Sequence, residues 1–306
     1  FNCGKRVAAA YKLHQIDTED KMCGICGFTG YRQDQKTVIE RMMKAIEHRG
    51  PDSEGSFCRE KITLGFRRLS IIDLEDGQQP MESADGNLHI VFNGEIYDYK
   101  ELRAELEAFG ISFCTHSDTE VLINTIQQYG EKALDKLRGM FGFAVWNEQE
   151  QSLMLARDFF GIKPVYYAEI DGHFVFASEI KSILAFPGYE RKVNQKALEQ
   201  YLSFQYSPLE ETFFKGIYKL MPGHMLLYKN GSYEIKTYFK PKLTPGQWDY
   251  KTNMAQLRSQ LSEILKDSVK HHMLSDVEVG AFLSGGVDSG YLASSSGADQ
   301  AFTVGF

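Results

Sequence analysis

Cysteine is scarce in this sequence. Its 306 residues include only five cysteines, which stand at positions Cys3, Cys23, Cys26, Cys58 and Cys114. An odd, dispersed set of this kind does not build the paired disulfide framework that stabilises small secreted domains, and it suits a reducing compartment. We therefore expect a cytoplasmic protein.

Long apolar runs and an excess of positive charge are also missing. No stretch comes near the ~20 consecutive apolar residues that a membrane-spanning helix needs. The 34 Lys and Arg residues are outnumbered by 41 Asp and Glu, which gives a formal net charge of −7. Because nucleic acids and membrane surfaces are bound through basic faces, this balance disfavours both as partners.

Residues 1–21 show neither a helical nor a strand period. They lack the continuous apolar core of a secretory leader and run into the acidic stretch Asp17-Thr18-Glu19-Asp20. Patterned sequence begins at Met22 and Cys23. We interpret residues 1–22 as a leader that is foreign to the fold or is removed. The alternative is that Met22 is an internal methionine of a longer N-terminal domain.

Residues 23–235 have the alternation of antiparallel strands, interrupted by a few helices. Apolar residues at helical spacing predict a helix over Thr37–Glu47, with Thr37 as its N-cap. The run Ser117-Asp118-Thr119-Glu120 has the spacing of a capping box and predicts the start of another helix. Asp171-Gly172 and Asn230-Gly231 each lie between strand-like runs, which is a strong hairpin signal. The region is thus predicted to be one α+β domain.

The pattern changes after residue 235. Proline, threonine and glycine make a linker over residues 236–253, and a helix is predicted to follow it. The mostly apolar run Val277–Leu283 then predicts a strand, followed by a glycine-rich turn, a helix and a second strand at Ala301–Val304. This order is that of a parallel α/β domain. Because the sequence stops at Phe306, we expect the domain over residues 254–306 to be incomplete.

The turn in this second region carries the most specific motif, Ser284-Gly285-Gly286-Val287-Asp288-Ser289. Between a strand and a helix, backbone N–H groups and the helix N-terminus form a cradle for phosphate, and the serine hydroxyls add donors. Asp288 could hold a Mg²⁺ ion that bridges the phosphates. The motif is not a Walker loop, which requires G-x-x-x-x-G-K-[ST]. It resembles the pyrophosphate loop of ATP-pyrophosphatase enzymes; the alternative is a simple glycine turn capped by Ser and Asp.

Cys23 allows two interpretations. Cys23 and Cys26 form a C-x-x-C pair, which could serve redox chemistry or half of a zinc site, although Cys58 and Cys114 supply no second pair. Alternatively, Cys23 becomes the first residue once Met22 is removed. Its own α-amine, with a pKa near ~8, could then act as general base for a thiol whose pKa is ~8.5.

Seven motifs along the chain resemble glutamine-hydrolysing asparagine synthetase. In order they are Cys23-Gly24-Ile25, His48-Arg49-Gly50-Pro51-Asp52, Arg68-Leu69-Ser70-Ile71-Ile72, Asn93-Gly94-Glu95-Ile96-Tyr97, Ser117-Asp118-Thr119-Glu120, Arg157-Asp158-Phe159-Phe160-Gly161-Ile162-Lys163-Pro164 and the Ser284–Ser289 loop. The resemblance covers residues 22–306. It implies an N-terminal-nucleophile αββα sandwich of the class II glutamine amidotransferase type over residues 23–235, followed by an ATP-pyrophosphatase-type synthetase domain.

The resemblance also assigns roles in a glutamine site. Cys23 would be the nucleophile, and Asn93 with the N–H of Gly94 would form the oxyanion hole. Arg68 suits the glutamine carboxylate, since guanidinium binds it bidentately, and Asp118 suits the ammonium. The expected glutamine-binding residues are Arg68, Leu69, Ser70, Ile71, Ile72, Asn93, Gly94, Glu95 and Asp118.

The roles of two arginines near these motifs are less specific. Arg49 is equally compatible with a structural role, and Arg67 is expected to be a solvated neighbour of Arg68. In the second region the resemblance places ATP, with Mg²⁺, against Leu283, Ser284, Gly285, Gly286, Val287, Asp288, Ser289 and Val304.

The implied reaction is ATP-dependent. Glutamine would supply ammonia, which would amidate aspartate activated as β-aspartyl-AMP, giving asparagine, AMP and pyrophosphate. Glutamine, aspartate and ATP are thus the expected small-molecule partners, and a homodimer is a compatible assembly. Three alternatives stay open: a relative that amidates another carboxylate, a protein that acts only as a glutaminase, and an inactive binding module.

Overall fold

The computed structural model describes residues 22–69, 77–242, 253–274 and 278–304. Its strands are β1 Gly24–Thr29, β2 Ser53–Cys58, β3 Ile62–Arg68, β4 Met81–Glu82, β5 Leu88–Ile96, β6 Gly139–Asn147, β7 Ser152–Arg157, β8 Tyr166–Ile170, β9 His173–Ala177, β10 Ile217–Lys219, β11 His224–Lys229, β12 Ser232–Thr237, β13 Ala281–Phe282 and β14 Ala301–Phe302. Its helices are α1 Gln35–Lys44, α2 Tyr99–Ala108, α3 Asp118–Tyr129, α4 Ile180–Leu184, α5 Gln195–Phe204, α6 Met254–His272 and α7 Val287–Ser296, with a 3₁₀ turn at Gly130–Asp135.

Two six-stranded antiparallel sheets lie face to face. Sheet A has the order β10-β8-β9-β1-β3-β2, and sheet B has the order β12-β11-β7-β6-β5-β4. Apolar side chains fill the space between them, with Leu64 and Phe66 of sheet A buried against Val91 and Trp146 of sheet B. Removing this apolar surface from water is the main force that holds the sheets together.

Helices cover the outer face of each sheet. Val38, Met42 and Ile46, from α1 and the turn after it, pack on Phe28 of sheet A, together with residues of α4. Helices α2 and α3 pack on sheet B in the same way, through leucine and isoleucine side chains. The layers therefore follow the order αββα that the sequence predicts.

Local sequence signals explain most of the turns. Asp171-Gly172 and Asn230-Gly231 both adopt positive φ at each residue, as a tight two-residue hairpin requires. Helix α3 begins after Ser117, whose side chain accepts a hydrogen bond from the N–H of Thr119. The capping box is only half formed, because Glu120 accepts from the N–H groups of Cys114 and Thr115 instead of reaching back to Ser117.

The predicted start of α1 is wrong by two residues. The helix begins at Gln35 with Asp34 at the N-cap position, so Thr37 lies inside its first turn. Asp34 makes no capping hydrogen bond, because its carboxylate is paired with Arg32 at 2.9 Å. A side-chain pair outside the helix therefore sets where the helix begins.

The second region contains α6, β13, α7 and β14. The two strands pair in parallel, with Ala281 opposite Ala301, as a strand-turn-helix-strand order predicts. They are shorter than the predicted runs, and helix α7 already begins at Val287. Val277, the predicted first residue of the strand, lies outside the described residues, as does most of the expected linker. Among the described residues, no helix is both long and apolar enough to cross a membrane.

Candidate active site

A pocket opens where β1 and β5 meet the ends of β3 and α3. Strand β1 starts just after Cys23, β3 ends at Arg68, and α3 begins at Asp118. The ends of these three elements meet at the pocket. The residues that line the pocket are Met22, Cys23, Phe66, Arg68, Leu69, Gly77, Gln79, Phe92, Asn93, Gly94, Glu95, Ser117, Asp118, Thr119 and Lys163.

The Cys23 thiol lies at the floor of this pocket. The N–H of Leu69 donates to Sγ at 3.4 Å, while the Cys23 carbonyl oxygen accepts from Nε of Arg49 at 3.0 Å. Burial raises the pKa of the thiol. The Leu69 N–H, Lys163 and Arg68 oppose that rise, and Asp118 adds to it. The thiol is thus held in place but needs a base or a nearby cation to become a thiolate.

Cys23 and Cys26 do not face each other. Strand β1 runs through Cys26, and side chains three apart on a strand point to opposite faces of its sheet. Cys23 packs in the core between the sheets, whereas Cys26 packs under α1 on the other side. This geometry separates the C-x-x-C pair, so it argues against the redox and zinc interpretations.

Asn93 offers a buried donor with no partner. The residue is 1% exposed, and its Nδ2 has no hydrogen-bond partner among the described residues. Leaving an amide donor unsatisfied costs ~1–3 kcal/mol in the resting protein. A donor kept free beside a nucleophile is suited to the oxyanion that forms during acyl transfer.

Gly94 supplies a second donor and requires the absence of a side chain. Phe141, which pairs with it on β6, directs its N–H and its carbonyl oxygen to Asp158. The Gly94–Phe141 pair is therefore a pair without ladder hydrogen bonds, so the Gly94 N–H points to the opposite edge of β5. A Cβ atom at Gly94 would lie 2.1 Å from the Met140 carbonyl oxygen, which only glycine avoids.

Asp118 and Glu95 give the pocket its negative charge. Oδ2 of Asp118 accepts from the N–H of Ile96 at 3.0 Å. Burial raises the pKa of Asp118 to about 7, with Glu95 adding to the rise and the Ile96 N–H opposing it. Burial also raises the pKa of Glu95, against the effect of Lys163. Arg68 is buried at the end of β3, on the same pocket wall.

The structure brings most of the predicted glutamine-site residues together. Cys23, Arg68, Leu69, Asn93, Gly94, Glu95 and Asp118 all line the one pocket. Three other predicted positions, Ser70, Ile71 and Ile72, lie outside the described residues. The contacts of this segment with the pocket therefore stay a prediction.

Two residues, one in the pocket wall and one bonded to Cys23, have roles that the sequence reasoning missed. Gln79 binds the backbone of Phe92 through both its amide atoms, at 2.6 and 3.3 Å, and donates to Thr119 at 3.2 Å. It thereby joins β5 to α3. Arg49 bridges the Cys23 carbonyl and Glu179, which settles its position at the site. No local pattern marks either role, because each partner is distant in sequence.

The expectation for Arg67 is wrong. The residue is buried instead of solvated, its Nε donates to the Gly50 carbonyl at 3.0 Å, and it forms an ion pair with Glu54. Gly50 itself packs so closely that a Cβ there would lie 2.4 Å from the Arg67 backbone. Arg67 therefore fixes the turn after α1, a structural role.

The second candidate site is the loop between β13 and α7. Oγ of Ser289 bonds to the Ser284 hydroxyl at 2.9 Å and to the Ser284 N–H at 3.2 Å, which closes the loop on itself. Gly285 has a φ of +79°, and Gly286 is the residue before the helix. Residues Ser284 to Asp288 are exposed.

This loop has the form of a phosphate cradle. The loop is exposed and leads into the N-terminus of α7, a position that favours phosphate binding. Asp288 lies in the first turn of α7. The described residues contain no group of three or more His, Cys, Asp or Glu that could hold a metal by themselves. Any Mg²⁺ here would need water or phosphate oxygens to complete its shell.

Comparisons with known proteins separate the same two regions. Residues 22–239 match the family described as glutamine amidotransferase domain, and residues 260–306 match the family described as asparagine synthase. The chain belongs to the glutamine amidotransferase domain family. The resemblance seen in the sequence motifs is thus confirmed.

Several relatives of this chain are named as asparagine synthetases. The chain is 46% identical over 279 residues to asparagine synthetase [glutamine-hydrolyzing] 1 of Bacillus subtilis, an alignment that covers 88% of the chain and 43% of the relative. It is 36% identical over 292 residues to a putative asparagine synthetase of Methanocaldococcus jannaschii, covering 88% and 55%. The chain therefore spans about half the length of these relatives.

Solved structures support the amidotransferase fold. Glutamine phosphoribosylpyrophosphate amidotransferase from B. subtilis superposes with a TM-score of 0.54 at 19% identity, covering 92% of this chain and 65% of that one. A structure described as the allosteric regulatory enzyme of purine biosynthesis gives a TM-score of 0.56 at 17% identity, covering 92% and 64%. At such identities the likeness concerns the fold alone, and it confirms the predicted N-terminal-nucleophile sandwich.

Proposed function

We propose that the two-sheet region hydrolyses glutamine to glutamate and ammonia, with Cys23 as the nucleophile. The observation that carries this proposal is the buried Nδ2 of Asn93, which lies in the pocket that Cys23 lines and has no partner among the residues that the structure describes. A donor without a partner beside a thiol is what an acyl-transfer site needs for its oxyanion. The Gly94 N–H would supply the second donor.

The pocket offers a partner for each polar end of glutamine. Arg68 would bind the α-carboxylate and Asp118 the α-ammonium, while Glu95 would face the ammonium or the amide. The amide carbon would then lie against Cys23. Opposite charges at the two ends fix the orientation of the substrate, which is the requirement for a near-attack geometry.

The proposed reaction has two steps. The Cys23 thiolate adds to the amide carbon, the oxyanion is bound by Asn93 and Gly94, and the thiol proton passes through the Cys23 amine to the departing ammonia. Water then attacks the thioester, which releases glutamate and restores the thiol. Each donor of an oxyanion hole contributes ~3 kcal/mol to such a step.

The amine can act as a base only if Cys23 is the first residue. In this chain its nitrogen belongs to the peptide bond that follows Met22, and a peptide nitrogen does not accept a proton. We therefore propose that the active form begins at Cys23 and that residues 1–22 are absent from it. Met22 itself lines the pocket, so its removal would also enlarge the space for substrate.

The second region is proposed to use the ammonia. The match of residues 260–306 to asparagine synthase supports an ATP-dependent amidation of aspartate to asparagine, with AMP and pyrophosphate as the other products. The Ser284–Ser289 loop would hold the phosphates, Asp288 a Mg²⁺ ion, and Leu283 and Val304 the adenine. ATP would supply the energy that activates the carboxylate.

The domain limits, the cellular location, the assembly and the acceptor are also proposals. We propose domain limits of 23–235 and 254–306, although β12 runs to Thr237, two residues past the first limit. A cytoplasmic location is supported by the four described cysteines, all of which are free thiols. A homodimer and the identity of the carboxylate acceptor are also proposed from the resemblance.

Release of glutamate from glutamine tests the first proposal. The protein beginning at Cys23 should hydrolyse glutamine, and Cys23→Ala should lose at least a thousandfold in rate because no other group can form the thioester. Cys114→Ala is the matched control, since Cys114 is an exposed free cysteine away from the pocket. Equal activity in wild type and Cys23→Ala would exclude Cys23 as the nucleophile; no glutamate from either would favour a binding module.

The acceptor requires a separate measurement, made on a protein that carries the complete synthetase domain. Release of pyrophosphate from ATP that depends on aspartate, together with asparagine formation, would support the asparagine synthetase reaction. Release that depends on a different carboxylate would support the alternative acceptor. Glutamate release with no carboxylate-dependent use of ATP would leave the protein as a glutaminase alone.

A further inference from the structure

Lys163 is a buried cation in the glutamine pocket that none of the roles above uses. The residue is 5% exposed and lines the pocket together with Cys23 and Glu95. A buried ammonium is unfavourable unless hydrogen bonds or opposite charges compensate its lost hydration. The burial of this charge therefore suggests that Lys163 has a function in the pocket.

The loop that carries Lys163 is held by two buried charged residues. Arg157 donates to the carbonyl oxygens of Lys163, Leu220 and Gly161 at 2.8, 2.7 and 2.6 Å. Asp158 accepts from the N–H groups of Phe141, Phe160, Ile162 and Lys163 at 3.2, 3.1, 2.9 and 2.9 Å. Both residues thus bind the Lys163 backbone, one on each side, and fix the direction in which its side chain leaves the loop.

The Lys163 ammonium has a poor partner in this structure. Its one hydrogen bond to a described residue goes to the thioether sulphur of Met22, at 2.9 Å. A thioether is a weak acceptor, so it compensates little of the cost of burial. Met22 is also the residue whose removal the proposed mechanism requires. Once it is gone, the ammonium faces the terminal residue itself.

We propose that Lys163 is a positioning residue of the glutaminase, one whose charge keeps the terminal amine of Cys23 unprotonated in the resting enzyme and favours the thiolate when the thiol passes its proton to that amine. This inference rests on the proposed function. A cation nearby disfavours a second positive charge on the amine, so the amine is free to accept a proton. The same cation favours the thiolate. Lys163 would therefore act through Cys23 without touching the reacting bond.

The other charges around Cys23 leave this role to Lys163. Arg49 is paired with Glu179 at 3.0 Å, and Arg68 would be neutralised by the substrate carboxylate. The anion that acts on Cys23 is Asp118, and the anions that act on Lys163 are Glu95 and Asp158. His272 of α6 in turn acts on Glu95. Burial lowers the pKa of Lys163, and Glu95 opposes that shift because its carboxylate favours the charged ammonium.

The pH dependence of kcat/KM for glutamine tests the inference in the protein that begins at Cys23. Lys163→Met keeps the length of the side chain and removes its charge. We expect the acid limb of its profile to move to higher pH by about one unit, since both groups of Cys23 then titrate later. Activity at pH 7 should fall about tenfold and recover at higher pH. Lys163→Arg, the matched control, should keep the wild-type profile.

Two results would overturn the inference. One is a Lys163→Met profile that coincides with that of the wild type; the other is a loss that is equal at all pH values, which indicates a structural role. If Lys163→Met does not fold, Lys163→Gln gives the same uncharged comparison. A wild-type protein that hydrolyses no glutamine would instead contradict the proposed function, so the two failures are distinguishable.

Discussion

The pocket around Cys23 and the loop between β13 and α7 place their functional groups in opposite surroundings. In the pocket Asn93, Arg68 and Asp118 are 1%, 4% and 5% exposed, and both sheets hold them. In the loop Val287 is 89% exposed, and the serines bond mainly to each other. Burial strengthens electrostatic interactions and fixes donors before the substrate arrives.

The contrast indicates how each site works. The pocket can perform chemistry with its own side chains, because its donors and charges are already in place. The loop offers mainly backbone N–H groups, which can bind phosphate but do not by themselves supply a base or a nucleophile. Substitutions in the pocket should therefore affect glutamine hydrolysis strongly, and substitutions in the loop should not affect it.

The largest effect among these substitutions is expected for Asn93→Ala. Loss of an oxyanion donor should lower kcat for glutamine hydrolysis by about 10²–10³-fold, with little change in KM. Because Nδ2 has no hydrogen-bond partner in the part of the chain that the structure describes, the thermal stability should not fall much. Steady-state kinetics together with a melting curve check both points. A kcat within threefold of the wild type would remove Asn93 from the oxyanion hole.

Asp118→Asn should act on binding instead of on the chemical step. Loss of the charge that pairs with the glutamine ammonium should raise KM by about tenfold or more, with a smaller change in kcat. The amide oxygen can still accept from the Ile96 N–H, so the fold should be kept.

The pKa of about 7 for Asp118 predicts how glutamine binding depends on pH. Below that pH the free carboxyl gains a proton and loses its attraction for the ammonium, so KM should rise as the pH falls from 8 to 6. This rise should be absent in Asp118→Asn. An equal rise in both proteins would assign the titration to another group.

The smallest effect on glutamine hydrolysis is expected for Ser284→Ala. The loop should lose affinity for ATP phosphates, while glutamate release without ATP should stay within twofold of the wild type. The contacts that join α6 to the two-sheet region among the described residues include Asp267 with Arg138 at 2.6 Å and the ring of His272 with the ring of Tyr97 at 4.5 Å. If Ser284→Ala changes glutaminase activity, the two sites are coupled, and these contacts are the place to test next.

The sequence allowed the fold to be predicted where the signals are local. The Asp171-Gly172 and Asn230-Gly231 turns, the Ser117 cap and the parallel pairing of the last two strands all depend on neighbouring residues. The start of α1 was missed because the Arg32–Asp34 pair, a contact that no helix pattern shows, sets it. Tertiary contacts decide such cases.

The candidate site was predictable to the extent that its residues stand in motifs. Cys23, Asn93 and Asp118 could be named from sequence, but the burial of Arg67 could not, because its partners include Gly50 and Glu54 in a neighbouring turn and strand. Lys163 stands within a quoted motif, yet its role depends on a fold that brings it to Met22 across 141 residues. Pairings of this kind depend on the tertiary fold, which a single sequence does not display.

The most direct test of the central claim is to locate covalent modification by a glutamine analogue that carries an electrophilic ketone in place of the amide. The protein would be treated with the analogue, digested and analysed by mass spectrometry, with excess glutamine as the competitor. We expect one adduct, on the sulphur of Cys23, in chains whose first residue is Cys23, and we expect glutamine to prevent it. An adduct on Cys26, Cys58 or Cys114, or on Cys23 in chains that retain Met22, would contradict the account.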